Sequence, residues 1–438
     1  MANSYLSRTP GSTTDAQRKQ FTISMWVKRS TLLTGSGHQE VISSFATDQF
    51  GFRFQGDNKL DIFDYSVSGN NYPLRLVTNR LFRDTSAWYH IVLQVDTPNS
   101  TSSERVKLWV NGVQETSFGT ATYPSQDYTT SWNRNGLHQI GSKAWGNSGN
   151  GSDFFDGYLS HVANVAGSVV APTSFGQTDS TSGIWKFKTP SGITWGNNGF
   201  HLKFENAANL GLDSSGNSNT YTVGGDLKQA LDTPSNVYCT LNPNDKYAAA
   251  LTNGNTTVTN EDNNQTIVLS TLAVNSGKWY WEAKINDTAS DTFNVGIRKT
   301  GLNNYAVGSV AYDANAWVYA VDGNIYHDSS SLLNTGTTAT VGDIIGFILD
   351  LDAGTLKLQK NGSNIYSGNA VVSSLNTGDY YHVHQGAAQA QVDFNFGNGF
   401  FGTTAISSAG SNGNGSLFEY DVPSNHYAIN TKNINTYG

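Results

Sequence analysis

Cysteine is nearly missing from this 438-residue sequence: Cys239 stands alone, so no intramolecular disulfide can form, and a single Cys reads as a small buried hydrophobe. Charge is also sparse, at 14% of residues, with a formal net charge of −8 and no run of Lys or Arg. A surface without clustered cations lacks the phosphate contacts a nucleic-acid binder needs, so nucleic acid is excluded as a partner. The longest apolar stretch, residues 344–351, is interrupted by Asp350 and falls far short of the ~20 residues that span a bilayer, which predicts no membrane insertion. Residues 1–19 are polar without an apolar centre, so no secretory signal is expected.

Catalytic patterns are missing as well. Glycoside hydrolysis needs two carboxyl groups flanking the bond, and no Glu opens a Glu-x-Asp-x-Glu series. Asp61 and Asp64 flank Ile62 and Phe63, so on a strand they point to opposite faces; they are expected to be solvated structural residues, as are Asp350 and Asp352. Gly-x-Ser-x-Gly does not occur, and the Gly-rich residues 146–151 lack the Lys and helix of a phosphate loop. The closest histidines, His382 and His384, share one strand face with only Asp379 nearby, which is thin for a metal site. The chain therefore reads as non-enzymatic, with no cofactor and no metal.

What is present points to β-structure. The 10 Trp, 21 Tyr and 21 Phe exclude disorder, and the 45 Gly sit in clusters with Asn, Asp and Ser that punctuate short β-branched and aromatic runs. The expected strands are 21–28, 41–45, 50–54, 60–63, 88–95, 105–110 and 157–165 in the first half. In the second half they are 278–285, 292–297, 316–320, 343–349, 355–360, 380–385 and 390–396. Only residues 226–231 read as a short helix, with Asp226 as N-cap and a stop before Pro234. The alternating aromatics Phe21, Trp26, Trp88 and Trp109 are expected to fill the first core, and Trp279, Trp281 and Trp317 the second. The length suits two domains.

Both halves carry one punctuated pattern. Residues 88–96 lead by a polar loop into 105–110, then Asn111-Gly112; residues 341–352 lead into 355–360, then Asn361-Gly362. Asn-Gly suits a two-residue hairpin because type I′ turns need positive φ at both central positions. The repeat predicts two antiparallel sandwiches of similar topology in tandem.

Residues 21–176 resemble the laminin-G-like, concanavalin A-like jelly rolls, through Phe21-Thr-Ile-Ser-Met-Trp-Val-Lys28, Trp88-Tyr-His-Ile-Val-Leu93, Leu108-Trp-Val-Asn-Gly112 and Phe155-Asp-Gly-Tyr-Leu-Ser-His-Val162. Residues 277–401 resemble SPRY domains, through Gly277-Lys-Trp-Tyr-Trp-Glu-Ala-Lys284, Asn294-Val-Gly-Ile297, Val341-Gly-Asp-Ile-Ile-Gly346, Leu349-Asp-Leu-Asp-Ala-Gly-Thr-Leu356, Lys360-Asn-Gly362 and Phe394-Asn-Phe-Gly-Asn-Gly-Phe400. The tandem, opened by Tyr5-Leu-Ser-Arg-Thr-Pro10 and closed by Glu419-Tyr-Asp-Val-Pro-Ser424 and Asn430-Thr-Lys-Asn-Ile434, is similar to virion proteins of tailed phages. The expected layout is a first sandwich over 1–176, a connector with some strand over 177–245, a SPRY-like sandwich over 246–402 and a tail over 403–438.

The resemblance implies a virion-surface protein, made in the bacterial cytoplasm, that binds host surface polysaccharide and contacts other virion proteins; a homo-oligomer is left open. The alternatives are a structural capsid or tail decoration protein and, after it, a polysaccharide depolymerase. Aromatic faces stack on sugar rings while amides and charged groups bond hydroxyls. The expected sugar loop is therefore 123–145, with Tyr123, Tyr128, Trp132, Asn133, Arg134, Asn135 and Trp145, and capping of the sandwich edge by some of these rings is the competing reading. Tyr305, Tyr312 and Tyr326 are the candidates in the second domain. Laminin-G-like relatives sometimes bind calcium through loop carboxylates, for which Asp153 and Asp156 are the candidates here, with a turn role for Asp156 before Gly157 as the competing reading.

Overall fold

Strict alternation along Gln20–Arg29 shows how the first core is made. Phe21, Ile23, Met25 and Val27 are wholly buried on one face, while Thr22, Ser24, Trp26 and Lys28 occupy the other. The structure, a computed structural model, describes residues 3–145, 151–259, 266–288, 293–301, 313–387 and 390–438. The chain divides into two compact units, Met1–Gln229 and Ala230–Gly438. With 47% strand and 5% helix, both units are antiparallel β-sandwiches.

In the first unit a six-stranded sheet runs Phe200–Leu202, Gly157–Ala166, Gln20–Arg29, Tyr89–Asp96, Val106–Val110, Val113–Glu115. It faces an eight-stranded sheet ordered Phe118–Thr122, Asn71–Leu81, Lys59–Ser66, Gln49–Gln55, His38–Phe45, Leu137–Ile140, Tyr5–Arg8, Thr222–Gly224. Ile42, Phe52, Ile62 and Leu76 lie in one register row and point into the shared core. The second unit packs a seven-stranded sheet, which includes Thr266–Val274, Phe293–Lys299 and Tyr381–Ala387, on an eight-stranded sheet centred on Lys278–Thr288 and Ile344–Asp350. Trp279 and Trp281 are fully buried between the sheets, with Trp317 beside them.

The two Asn-Gly pairs form matching hairpins. Asn111 and Gly112 have φ of 49° and 77°, and Asn361 and Gly362 have 50° and 77°, the positive values a type I′ turn needs. In each domain the Asn side chain also accepts the backbone N–H of the residue opposite, His90 or Ile344, at 2.8 Å.

Three expectations are corrected. Residues 226–231 are not helical. Leu227 packs on the first core and the Gln229 amide donates to the Phe204 carbonyl at 2.7 Å, so tertiary contacts hold an irregular path that a six-residue helix could not outweigh. Among the described residues the α-helices are Asp15–Lys19, opened by a Thr14–Gln17 capping box, and Thr431–Tyr437, capped by Asn430. Trp26 and Trp88 are buried, but Trp26 lies on the outer face of its sheet, stacked on His90 at 4.6 Å, and neither ring is in the main core. Trp109 is half-buried, its indole donating to Gln94 at 2.8 Å. Trp185 covers this face, donating to His90 Nδ1 at 2.9 Å.

Candidate functional site

The loop singled out from sequence splits between core and surface. Trp132 is 0% exposed, tilted against Phe50 and His138, and its indole donates to Asn164 Oδ1 at 3.1 Å. Asn133 is buried beside it, donating to the Gln17 carbonyl at 2.8 Å and accepting from Asn164 at 2.7 Å. Neither side chain reaches solvent, so both are removed from the candidate site: they plug the sandwich edge, where an indole has an apolar cavity and a polar partner at once. Tyr123 and Tyr128 are half-buried. The Tyr128 hydroxyl donates to Asp64 at 3.3 Å, and burial together with that carboxylate pushes the phenol up.

Asp64 is not solvated. It points inward, accepts the Ser131 N–H and hydroxyl at 2.6 and 2.9 Å, and burial raises its carboxyl to about 6. Arg134 pairs loosely with Asp48 at 3.7 Å, Asn135 is exposed, and Trp145 is 45% exposed, tilted on Phe45 at 5.0 Å with the Lys143 ammonium 5.2 Å from its ring. These three remain at the surface, around the turn that follows Phe45.

Phe45 opens onto a feature the sequence reading missed. In the eight-stranded sheet Phe45 pairs with Gln49 and Gln49 with Tyr65, so the three share one row on the outer face, spanning two strand spacings of about 5 Å each. Tyr65 meets Tyr72 at 4.9 Å, and Tyr72 meets Phe63 edge-on at 5.6 Å. Trp145, Phe45, Tyr65 and Tyr72 thus form an aromatic row across the face. Gln49 sits in the middle with its Nε2 buried and without a hydrogen-bond partner. Beside the row Arg75 lies over Tyr72 at 4.6 Å and Arg53 over Phe63 at 4.4 Å. Both guanidiniums donate to the buried Asp61, Arg53 at 2.9 and 3.1 Å and Arg75 at 3.1 Å twice, with Gln55 adding a bond at 3.0 Å. Asp61 is therefore also a buried, ion-paired residue rather than a solvated one. Alternation of Asp61, Phe63 and Tyr65 on one strand was the available sequence signal.

Glu40 lies in the same register row as Arg53 and Asp61 but is wholly enclosed, and neither carboxyl oxygen has a hydrogen-bond partner. Burial raises its pKa to about 8 against the pull of Arg53 and Lys143. A Cβ on Gly51 would strike both Phe63 and Glu40, so these side chains close over that glycine. The two carboxylates proposed for calcium are otherwise engaged: Asp153 pairs with Lys143 at 3.5 Å and Asp156 accepts the Thr31 hydroxyl. Among the described residues no three His, Cys, Asp or Glu side chains gather as a metal set.

In the second domain Tyr326 is half-buried, donating to Asp322 at 2.8 Å, while Tyr305 and Tyr312 lie outside the described residues. Asp350 pairs with Lys278 at 2.8 Å, and Asp352 accepts the Gly277 N–H at 2.8 Å at the strand end.

Residues 2–167 match the family model of the concanavalin A-like lectin/glucanases superfamily, and residues 278–399 match that of the SPRY domain. A concanavalin A-like domain precedes a SPRY domain. Among solved structures, the SPRY domain of human HERC1 is 19% identical, covering 35% of this chain and 96% of that one with a TM-score of 0.31. The PSpry domain of TRIM65 is 14% identical, covering 36% and 91% with a TM-score of 0.28. Stonustoxin is 17% identical, covering 36% of this chain and 27% of its own with a TM-score of 0.27. No curated protein matches the chain. Lectin-like and SPRY domains fit a binding or recognition role. The aromatic row and the Asp61 network both belong to the concanavalin A-like domain, and Tyr326 to the SPRY domain.

Proposed function

We propose that the chain is a non-catalytic carbohydrate-recognition protein and that polysaccharide lies along the row of Trp145, Phe45, Gln49, Tyr65 and Tyr72. The observation that carries this reading is the unpartnered Gln49 amide flanked by aromatic rings on an outer sheet face. Rings supply apolar faces for pyranoses, and a donor without an acceptor is a polar group awaiting a ligand oxygen. Arg134, paired with Asp48 between Phe45 and Gln49, and Arg75, over the Tyr72 ring, bring cations to the border of the row. Non-catalytic binding is supported by Glu40 and Asp61 both being 0% exposed, the first enclosed and the second held by two arginines.

In the finer reading the protein sits on the virion of a tailed phage and binds host surface polysaccharide. Support for that placement is the resemblance of the tandem and of its opening and closing segments. Each copy would bind weakly, and many copies on one particle would supply the strength. A glycan array of bacterial surface polysaccharides tests the recognition role. Selective retention of one polysaccharide, lost in Trp145→Ala, is expected; a blank array with capture of virion subunits instead would favour a decoration role, and release of reducing ends would point to a depolymerase.

A further inference from the structure

The second unit holds a groove of about 450 Å³ outside its two-sheet core, between the SPRY domain and the chain that follows it. One wall is the outer face of adjacent strands. Ile348 and Asp350 stand on Ile344–Asp350; Thr355, Lys357 and Gln359 stand at alternate positions of Thr355–Lys360, whose intervening Leu356 and Leu358 face the core. The other wall is the chain from Asn412 to His426, contributing Asp421, Val422 and Ser424. That wall is fixed in place: Glu282 accepts the backbone N–H groups of Glu419 and Tyr420 at 2.9 Å each, and Val422 and Ile348 belong to one apolar cluster with Phe418 and Tyr280.

Two of the residues lining this groove each carry a buried side-chain atom without a hydrogen-bond partner. Gln359 donates its amide N–H to Asn364 at 3.2 Å, which leaves its Oε1 buried and unsatisfied. His426 has its Nδ1 3.1 Å from the Ser424 carbonyl, an acceptor, so the proton sits on Nδ1 and Nε2 presents a lone pair, also buried and unsatisfied. Burial lowers the pKa of this ring. Both unsatisfied atoms are acceptors, so they call for a ligand bearing O–H or N–H donors. The remaining lining supplies donors and acceptors together, from Thr355, Asn364, Asn412 and Ser424, and its charges are mixed, Asp350 and Asp421 against Lys357 with Lys278 alongside. A ligand of strong single charge finds no matching field here, whereas a hydroxyl both donates and accepts. The volume lies within the ~300–1,000 Å³ of small-molecule sites.

We infer that this groove is a second binding site, for a neutral saccharide of one or two rings, held by hydroxyl donation to Gln359 Oε1 and His426 Nε2 over the apolar floor of Ile348 and Val422. It is independent of the aromatic row in the first domain, so either site can fail without the other.

The test uses the full chain carrying Trp145→Ala, which silences the first-domain row, with maltose, chitobiose and digalacturonate as probes and the His426 ring signals followed by NMR. At least one neutral sugar is expected to move those signals with millimolar affinity. Gln359→Ala and the exposed-site block Ser424→Trp are each expected to weaken that affinity at least tenfold while the melting temperature stays unchanged. Either of two results overturns the assignment: no neutral sugar moving the His426 signals, or affinity unaffected by both substitutions. Digalacturonate binding as tightly as the neutral sugars overturns the ligand class.

Discussion

Trp132 and Trp145 belong to one loop and have opposite environments, so their substitutions should separate cleanly. Trp132→Ala empties a fully enclosed indole site and strands the Asn164 amide oxygen, so it should destabilise the first domain by about 3–5 kcal/mol, measured by denaturant unfolding. Trp145→Ala removes a half-exposed ring and should change stability by no more than about 0.5 kcal/mol while weakening polysaccharide binding. The sequence showed that aromatic rings collect in this loop. It could not show which is enclosed, because a loop has no period from which to read an inward face, and the contacts that bury Trp132 come from Phe50 and Asn164, far away along the chain.

Glu40 gives a pH signature. Its carboxyl is raised from the ordinary 4.5 to about 8 in the folded state, mainly by burial, so folding favours the protonated form. The stability this protonation contributes is complete below about pH 4.5 and is lost as pH rises through about 8. Glu40→Gln should therefore gain stability relative to the wild type between pH 5 and 8.5, with the contributions of Asp64 and Asp156 cancelling in the difference. A gap in melting temperature that is the same at both pH values would contradict it.

At the scale of elements the Asn-Gly turns were readable because type I′ geometry makes a local demand that only a few residue pairs meet. Gly112→Val and Gly362→Val should each cost about 1–3 kcal/mol, since a β-branched residue resists positive φ. The added Cβ would also press on Trp185 in the first domain and Tyr420 in the second, at 2.5 and 2.7 Å. Unfolding free energies unchanged by both substitutions would contradict the paired hairpins. Strand positions such as Gln20–Arg29 and Ala316–Ala320 were also legible from composition and period, whereas the long strand Asn71–Leu81 was missed. Its irregular burial follows from a register shift against Lys59–Ser66, and its Pro73 masks the strand signal. The outer-face row was invisible for a related reason: Phe45, Gln49 and Tyr65 become neighbours only through strand pairing, and Gln49 on its own is an ordinary polar residue.

For the whole molecule the fold class was legible, because two all-β halves announce themselves through turn chemistry, aromatic content and the repeated hairpin. Function was legible only as recognition, since the same architecture serves many ligands and the site is a surface property. The contact division between Gln229 and Ala230 leads us to expect limited proteolysis to cut close to it, releasing two fragments that stay folded. The most direct measurement for the central claim is retention of the full chain on immobilised host surface polysaccharide, comparing wild type with Trp145→Ala and Gln49→Ala. Specific retention by the wild type, reduced at least tenfold in both variants at unchanged melting temperature, is the predicted result; no retention of the wild type, or retention indifferent to both substitutions, would contradict it.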